Sequence, residues 1–131
     1  MDIDNKVLKT AKEGIYSNLE ISRGLDEKLR DKYFTNENDF WHANKKLKDM
    51  IKFKQQNILN ELDYDYQYDI IFCRNVLIYF DSNTKYAVLS HIKKCMNPNT
   101  LLFLGATESL IGIDDSFLSV DKSVPGLYKL R

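Results

Sequence analysis

Tyr68-Asp69-Ile70-Ile71-Phe72-Cys73-Arg74-Asn75-Val76-Leu77-Ile78-Tyr79-Phe80-Asp81 is the stretch whose reading decides the fold. An apolar run over residues 70–73 stops at Arg74 and Asn75. A second run, over 76–80, closes on Asp81, a helix-start residue. A β-branched and aromatic run between polar groups reads as a strand buried on both faces, as is usual in parallel sheets. In open α/β sheets ligands bind just beyond the carboxyl ends of such strands. That rule puts Arg74 and Asn75 where a binding site belongs, and the Asn75 amide offers both donors and acceptors. The same two residues would also serve simply to end a strand and solvate a loop.

Downstream, residues 82–96 read as a helix with Val88, Ile92, Cys95 and Met96 as its apolar stripe and Lys85, Lys93 and Lys94 outside it. Asn97-Pro98-Asn99 reads as a turn, and residues 101–105 as another buried strand. Strand, helix and strand within about 35 residues make a βαβ unit, with its two strands parallel. Residues 117–120 and 126–130 are β-prone runs around 122–125, most simply an antiparallel pair at the sheet edge, where Pro125 is tolerated.

Upstream, residues 50–57 alternate as a strand with one polar face, ending at Asn57, with Asn57-Ile58 a second polar strand tip. Residues 63–67 read as a polar and aromatic surface connection. Near the start, Val7, Leu8, Ala11 and Ile15 fall at helical spacing, with Asp4 or Asn5 as N-cap and Gly14 as the stop. Asp2 then stands just before a helix with no strand ahead of it; in an α/β fold the strand that delivers it is missing from the chain. Residues 25–34 predict a second helix with Asp26 near its start, and 35–39 a polar turn. Phe40-Trp41-His42 beside Lys45-Lys46-Leu47-Lys48 is either a small hairpin or extended excursion with a solvated basic face, or a docking surface for an acidic or helical partner.

The 131 residues fit one domain. Lysine plus arginine equals aspartate plus glutamate at 19 each, without the basic excess of a nucleic-acid binder. No apolar run approaches the roughly 20 residues needed to span a bilayer, so no membrane insertion is expected. The first residues lack a signal-peptide pattern, which predicts a cytoplasmic protein. Cys73 and Cys95 lie far apart and read as small buried hydrophobes in a reducing compartment. Nothing in the spacing joins either cysteine to His42 or His91 as nucleophile and base, or as metal ligands. The five glycines form no phosphate-binding loop.

The segment 69–81 closely resembles the signature of the CheR family, the chemotaxis receptor glutamate methyltransferases. Asp2-Ile3-Asp4 with Val7-Leu8, Ala11 and Gly14-Ile15-Tyr16 is similar to that family's second-strand tip and following helix. Gln56-Asn57-Ile58-Leu59 resembles its Asn-Leu segment. Leu102-Phe103-Leu104-Gly105 with Glu108-Ser109-Leu110 resembles its late strand and loop. The resemblance implies an α/β fold: a partial Rossmann-like class I methyltransferase sheet, mostly parallel, with an antiparallel C-terminal strand pair. A small β-subdomain excursion at about 35–54 would contact chemotaxis receptor cytoplasmic helices. It also implies methyl transfer from S-adenosyl-L-methionine to receptor glutamates, with S-adenosyl-L-homocysteine as product. Carried over, Asp2 would hold the cofactor's ribose hydroxyls, Asn57 and Ile58 would border the adenine, and Arg74 and Asn75 would line the cofactor and substrate cleft. Tyr79 would sit near the transferred methyl group.

The chemistry needs no strong base, since a glutamate with a reference pKa of about 4.3 is already a carboxylate at neutral pH. The protein's task is to align carboxylate and methyl carbon and to shed water. Arg74 would orient the carboxylate, and Tyr79 would donate a hydrogen bond or pack on the sulfonium. The family's glycine-rich loop, the acidic cofactor residues near it and its N-terminal helical domain all lie upstream of the point where this chain begins. The chain therefore reads as the C-terminal part of an enzyme, weakly active or inactive by itself. The alternative is a non-catalytic interaction module on the same scaffold. An uncovered sheet edge or exposed apolar face would favour self-association.

Overall fold

The structure, a computed structural model, describes residues 1–62, 67–121 and 123–131. Most of the expected connection at 63–67 therefore lies outside the described residues, as does Lys122 in the link between the last two strands. The chain divides into two compact units, Met1–Asn57 and Ile58–Arg131.

In the first unit, helix α1 (Asn5–Glu13) is capped by the Asp4 side chain, which accepts from the Lys6 N–H. It ends on Gly14, whose φ of 67° is a left-handed conformation that costs glycine little. Ile15 was expected to continue the helical stripe; instead it opens strand β1 (Ile15–Ser17), because the left-handed Gly14 has already turned the chain. Ser17 and Glu20 form a reciprocal capping box on the short helix α2 (Asn18–Ile21). Helix α3 (Glu27–Tyr33) starts on Asp26.

The polar stretch expected to be a turn at 35–39 is mostly strand. Strand β2 (Phe34–Glu37) turns through Asn38 and Asp39, with φ of 52° and 65°, into strand β3 (Phe40–Ala43). Paired left-handed residues match the twist of a two-residue hairpin. The three strands form a sheet of order β1-β3-β2, all antiparallel. The basic run folds as helix α4 (Lys45–Asp49), capped by Asn44. The strand expected over 50–57 is absent: Gln55 makes one parallel bridge to Asp2, through Asp2 N–H to Lys54 O and Gln56 N–H to Asp2 O. Beyond Asp2 the chain turns at once into the cap of α1, leaving no run of amides to extend a ladder.

The second unit carries a four-stranded sheet of order β4-β5-β7-β6. Strand β4 (Tyr68–Cys73), helix α5 (Ser82–Lys94) and strand β5 (Met96–Leu104) are the βαβ unit, with β4 and β5 parallel. Asp81 caps α5 through the Thr84 N–H. The turn expected at 97–99 lies inside β5 as an irregularity, since Tyr68 pairs with Met96 but Ile70 with Leu101. Asn97 accepts from the Asn99 N–H there, and Thr100 bonds both the Asn97 N–H and the Tyr68 carbonyl. Strands β6 (Phe117–Ser119) and β7 (Leu127–Leu130) are antiparallel, with β7 also antiparallel to β5 and β6 outermost. Pro125 lies in the connection between them.

Val88, Leu89 and Ile92 of α5 pack with Cys73, Leu102, Leu104, Leu110, Phe117 and Tyr128 in the core of this unit. The central strand was expected to be buried on both faces, and it is not. Ile70 is 51% exposed and Phe72 is 70% exposed, with Phe72 stacked on Phe103 at 5.0 Å between ring centres. A βαβ crossover covers one face only, and side chains alternate between faces along a strand, so Ile70 and Phe72 point away from α5. The second apolar run, unlike the first, is not a strand. Residues Leu77–Tyr79 form a single 3-10 turn that buries Leu77 and leaves Tyr79 79% exposed.

Candidate functional site

The carboxyl ends of β4 and β5 lie side by side, Cys73 opposite Leu104. Beyond Cys73 the loop 74–80 carries Arg74 and Asn75 in irregular backbone and Tyr79 at the end of the 3-10 turn, before Asp81 starts α5. Arg74 is exposed and its guanidinium makes no hydrogen bond or ion pair among the described residues. Asn75 takes a φ of 58°, a left-handed conformation that asparagine tolerates better than most residues.

What holds this loop is Glu108, only 7% exposed. Its Oε2 accepts from the Asn75 N–H at 2.7 Å and the Gly105 N–H at 2.6 Å. Its Oε1 accepts from the Val76 N–H and the Ile78 N–H, both at 3.1 Å. Burial alone would raise this carboxyl, but the backbone amides around it, Gly105 and Asn75 foremost, outweigh it and hold it below the ordinary carboxylate value. Gly105 makes room for the arrangement: a Cβ there would stand 2.3 Å from Asn75 Oδ1 and 2.8 Å from Glu108 Oε2. Burial, with the Glu108 charge adding to it, pushes the neighbouring Cys73 thiol up to about 11, so it is no nucleophile at neutral pH. Cys95 is raised too, by burial.

Ile58 packs against the core of the second unit, with its carbonyl 3.4 Å from His91 Nδ1. In the first unit, Asp2 is half-buried at its bridge to Gln55, and its Oδ1 accepts from the Asp4 N–H. Asn57 follows two residues beyond Gln55, also half-buried. The residues singled out from sequence thus fall into two local groups. Asp2 forms the bridge in the first unit, with Asn57 two residues beyond its partner Gln55; Ile58 opens the second unit, where Arg74, Asn75 and Tyr79 share one loop. In the sequence Glu108 belongs to the loop that resembles the family's, with no role of its own. The signal in the sequence was only a carboxylate just past a strand end, since three of the amides it binds lie 30–33 residues away.

Also in the second unit, a depression of about 550 Å³ is lined by Ser109, Ile111, Asp114, Asp121 and Arg131 among others. Asp114 is buried there; burial would raise its carboxyl, and bonds from Lys93 and Ser116 hold it below the ordinary value instead. Among the described residues, no cluster of His, Cys, Asp or Glu could hold a metal ion, and no helix is long and apolar enough to cross a membrane.

Comparison with known proteins gives the family. Residues 1–124 match the family described as CheR methyltransferase, SAM binding domain. Over 99% of its length the chain is 40% identical to the chemotaxis protein methyltransferase of Vibrio anguillarum. It is 39% identical to chemotaxis protein methyltransferase 1 of Vibrio cholerae, again over 99% of the chain. With the Escherichia coli chemotaxis protein methyltransferase it shares 30% identity over 98% of the chain. The chain spans about half the length of these relatives, 46–48%. A mixed sheet with a parallel βαβ core and an antiparallel strand at its side agrees with part of such a domain, and the chain belongs to the CheR methyltransferase family.

Proposed function

We propose that this chain forms part of an enzyme that transfers a methyl group from S-adenosylmethionine to glutamate side chains of chemotaxis receptors. The observation carrying this reading is the loop after β4. It stands at the carboxyl end of the parallel pair, fixed from beneath by Glu108, and offers a free guanidinium, an amide and a phenol. The residues present suit the cofactor: Asp2 supplies a carboxylate acceptor for a vicinal diol, and Asn57 and Ile58 a polar and an apolar edge for a purine. When bound, S-adenosylmethionine supplies a methyl carbon on a positively charged sulfur that a carboxylate attacks without prior proton removal. Arg74 pairs with the incoming glutamate carboxylate and orients one oxygen, a task that its forked donors suit. Tyr79, exposed at the end of the 3-10 turn, closes over the reacting atoms and sheds water.

Residues 35–54 serve the receptor. The hairpin β2–β3 and helix α4 carry Trp41, which donates from its indole N–H to Asn18 Oδ1 and lies under the Arg30 guanidinium at 4.5 Å. Lys45 pairs with Asp49 and Lys48 reaches the Glu13 carbonyl, leaving Lys46 exposed for an acidic helix. Spanning about half the length of its curated relatives, the chain by itself binds the cofactor weakly and transfers little or no methyl group.

Ultraviolet cross-linking of radiolabelled S-adenosylmethionine, followed by peptide mapping, tests the site. Label on peptides containing residues 55–58 or 74–79 is expected; label confined to 109–126 overturns the reading. Arg74→Ala that leaves cofactor and receptor binding untouched removes Arg74 from its assigned role. Calorimetric titration showing micromolar affinity for S-adenosylmethionine contradicts the weak binding.

A further inference from the structure

We infer that Glu108 is the positioning residue of this site: its carboxylate, shared among four backbone amides, sets the conformation in which loop 74–80 presents Arg74, Asn75 and Tyr79. The inference rests on the reading of that loop as the cofactor edge. Glu108 is buried beneath the loop and touches no ligand itself; it acts through Asn75, Val76 and Ile78.

Three features make this more than a packing contact. Both carboxylate oxygens are used twice, so the donors fill the acceptor capacity of an ionised carboxylate. The bonds join loop 74–80 to Gly105 at the end of the neighbouring strand, so one side chain fixes two strand tips against each other. Gly105, Asn75 and Glu108 interlock, since a Cβ on Gly105 would strike both of the other side chains. Neither common replacement reproduces this. Aspartate is one methylene too short, and glutamine turns an NH2 group toward two N–H donors. Without the carboxylate the amides of Asn75, Val76 and Ile78 turn to water, and the left-handed Asn75 is one conformer of several. A ligand then selects that conformer from a mixture and binds more weakly in proportion to its population.

The test compares the wild-type chain with Glu108→Gln, using amide hydrogen exchange and titration with S-adenosylhomocysteine followed by amide NMR shifts. In the wild type, the amides of Asn75, Val76, Ile78 and Gly105 exchange slowly. In Glu108→Gln those at 75, 76 and 78 exchange fast while Leu102 and Leu104 stay protected, and the ligand binds about ten-fold more weakly. A second variant, Gly105→Ala, displaces the same carboxylate from the other side and gives the same pattern. Fast exchange of the loop amides in the wild type overturns the inference with no variant needed. So does equal ligand affinity in wild type and Glu108→Gln, which leaves the reading of the site intact. A wild type whose loop amides do not respond to ligand at all overturns that reading, and the positioning role with it.

Discussion

The two units hold their strand tips by different means. At the tip in Met1–Asn57, Asp2 and Gln55 share one parallel bridge, and of the 57 residues in that unit only Leu8 and Ile21 are buried apolar side chains. At the tip in Ile58–Arg131, loop 74–80 stands on a four-amide carboxylate above a core that numbers eleven buried residues among those described. Local opening is governed by buried contacts, so the first unit carries adaptable surfaces and the second a pre-set one. On the proposed function, a hairpin that faces the receptor tolerates adjustment. A site that aligns a carboxylate with a methyl carbon does not, because geometry is most of its catalysis.

The contrast is broken most sharply at Glu108. Replacing it with alanine removes a charged acceptor from buried amides and destabilises the second unit by roughly 3 kcal/mol, read as a lower urea midpoint. The same change leaves exchange of the α1 amides as it was. Next in size is acid. Glu108 and Asp114 both lie below the ordinary carboxylate value in the fold, so the unfolded chain binds their protons first. Stability is therefore full above the unfolded value of about 4 and falls as pH drops through the folded values. Urea midpoints against pH show this loss, and Glu108→Gln reduces its share. Asn75→Ala costs about 1 kcal/mol because alanine pays for φ of 58°, and Asn75→Gly costs less. Asp4→Ala in the first unit also costs about 1 kcal/mol through the lost cap. This one shows as faster exchange in α1 alone, with the β4 and β5 amides unmoved.

Much of this was legible along the chain, because the signals were local. Asp81 capping, the stripe of Val88 and Ile92, and the parallel pairing of β4 with β5 follow from neighbours in sequence. Gly14 as a helix stop is equally local. What escaped needed partners far away. An alternating pattern at 50–57 is a strand only if a second strand runs beside it, and Asp2 leads into a helix cap instead. The run at 70–73 is apolar enough for two buried faces, yet α5 covers one, leaving Ile70 and Phe72 exposed. The role of Glu108 depends on amides 30–33 residues away, which no spacing announces. Arg74 and Asn75 stand just past the end of β4, where a rule that is itself local put them.

The most direct measurement is an amide-resolved NMR titration of the wild-type chain with S-adenosylhomocysteine. The account predicts shift changes confined to Asp2, Asn57, Ile58 and the amides from Asn75 to Tyr79. Changes clustered around Ser109, Asp114 and Asp121 instead, or none at loop 74–80 at millimolar ligand, would contradict it.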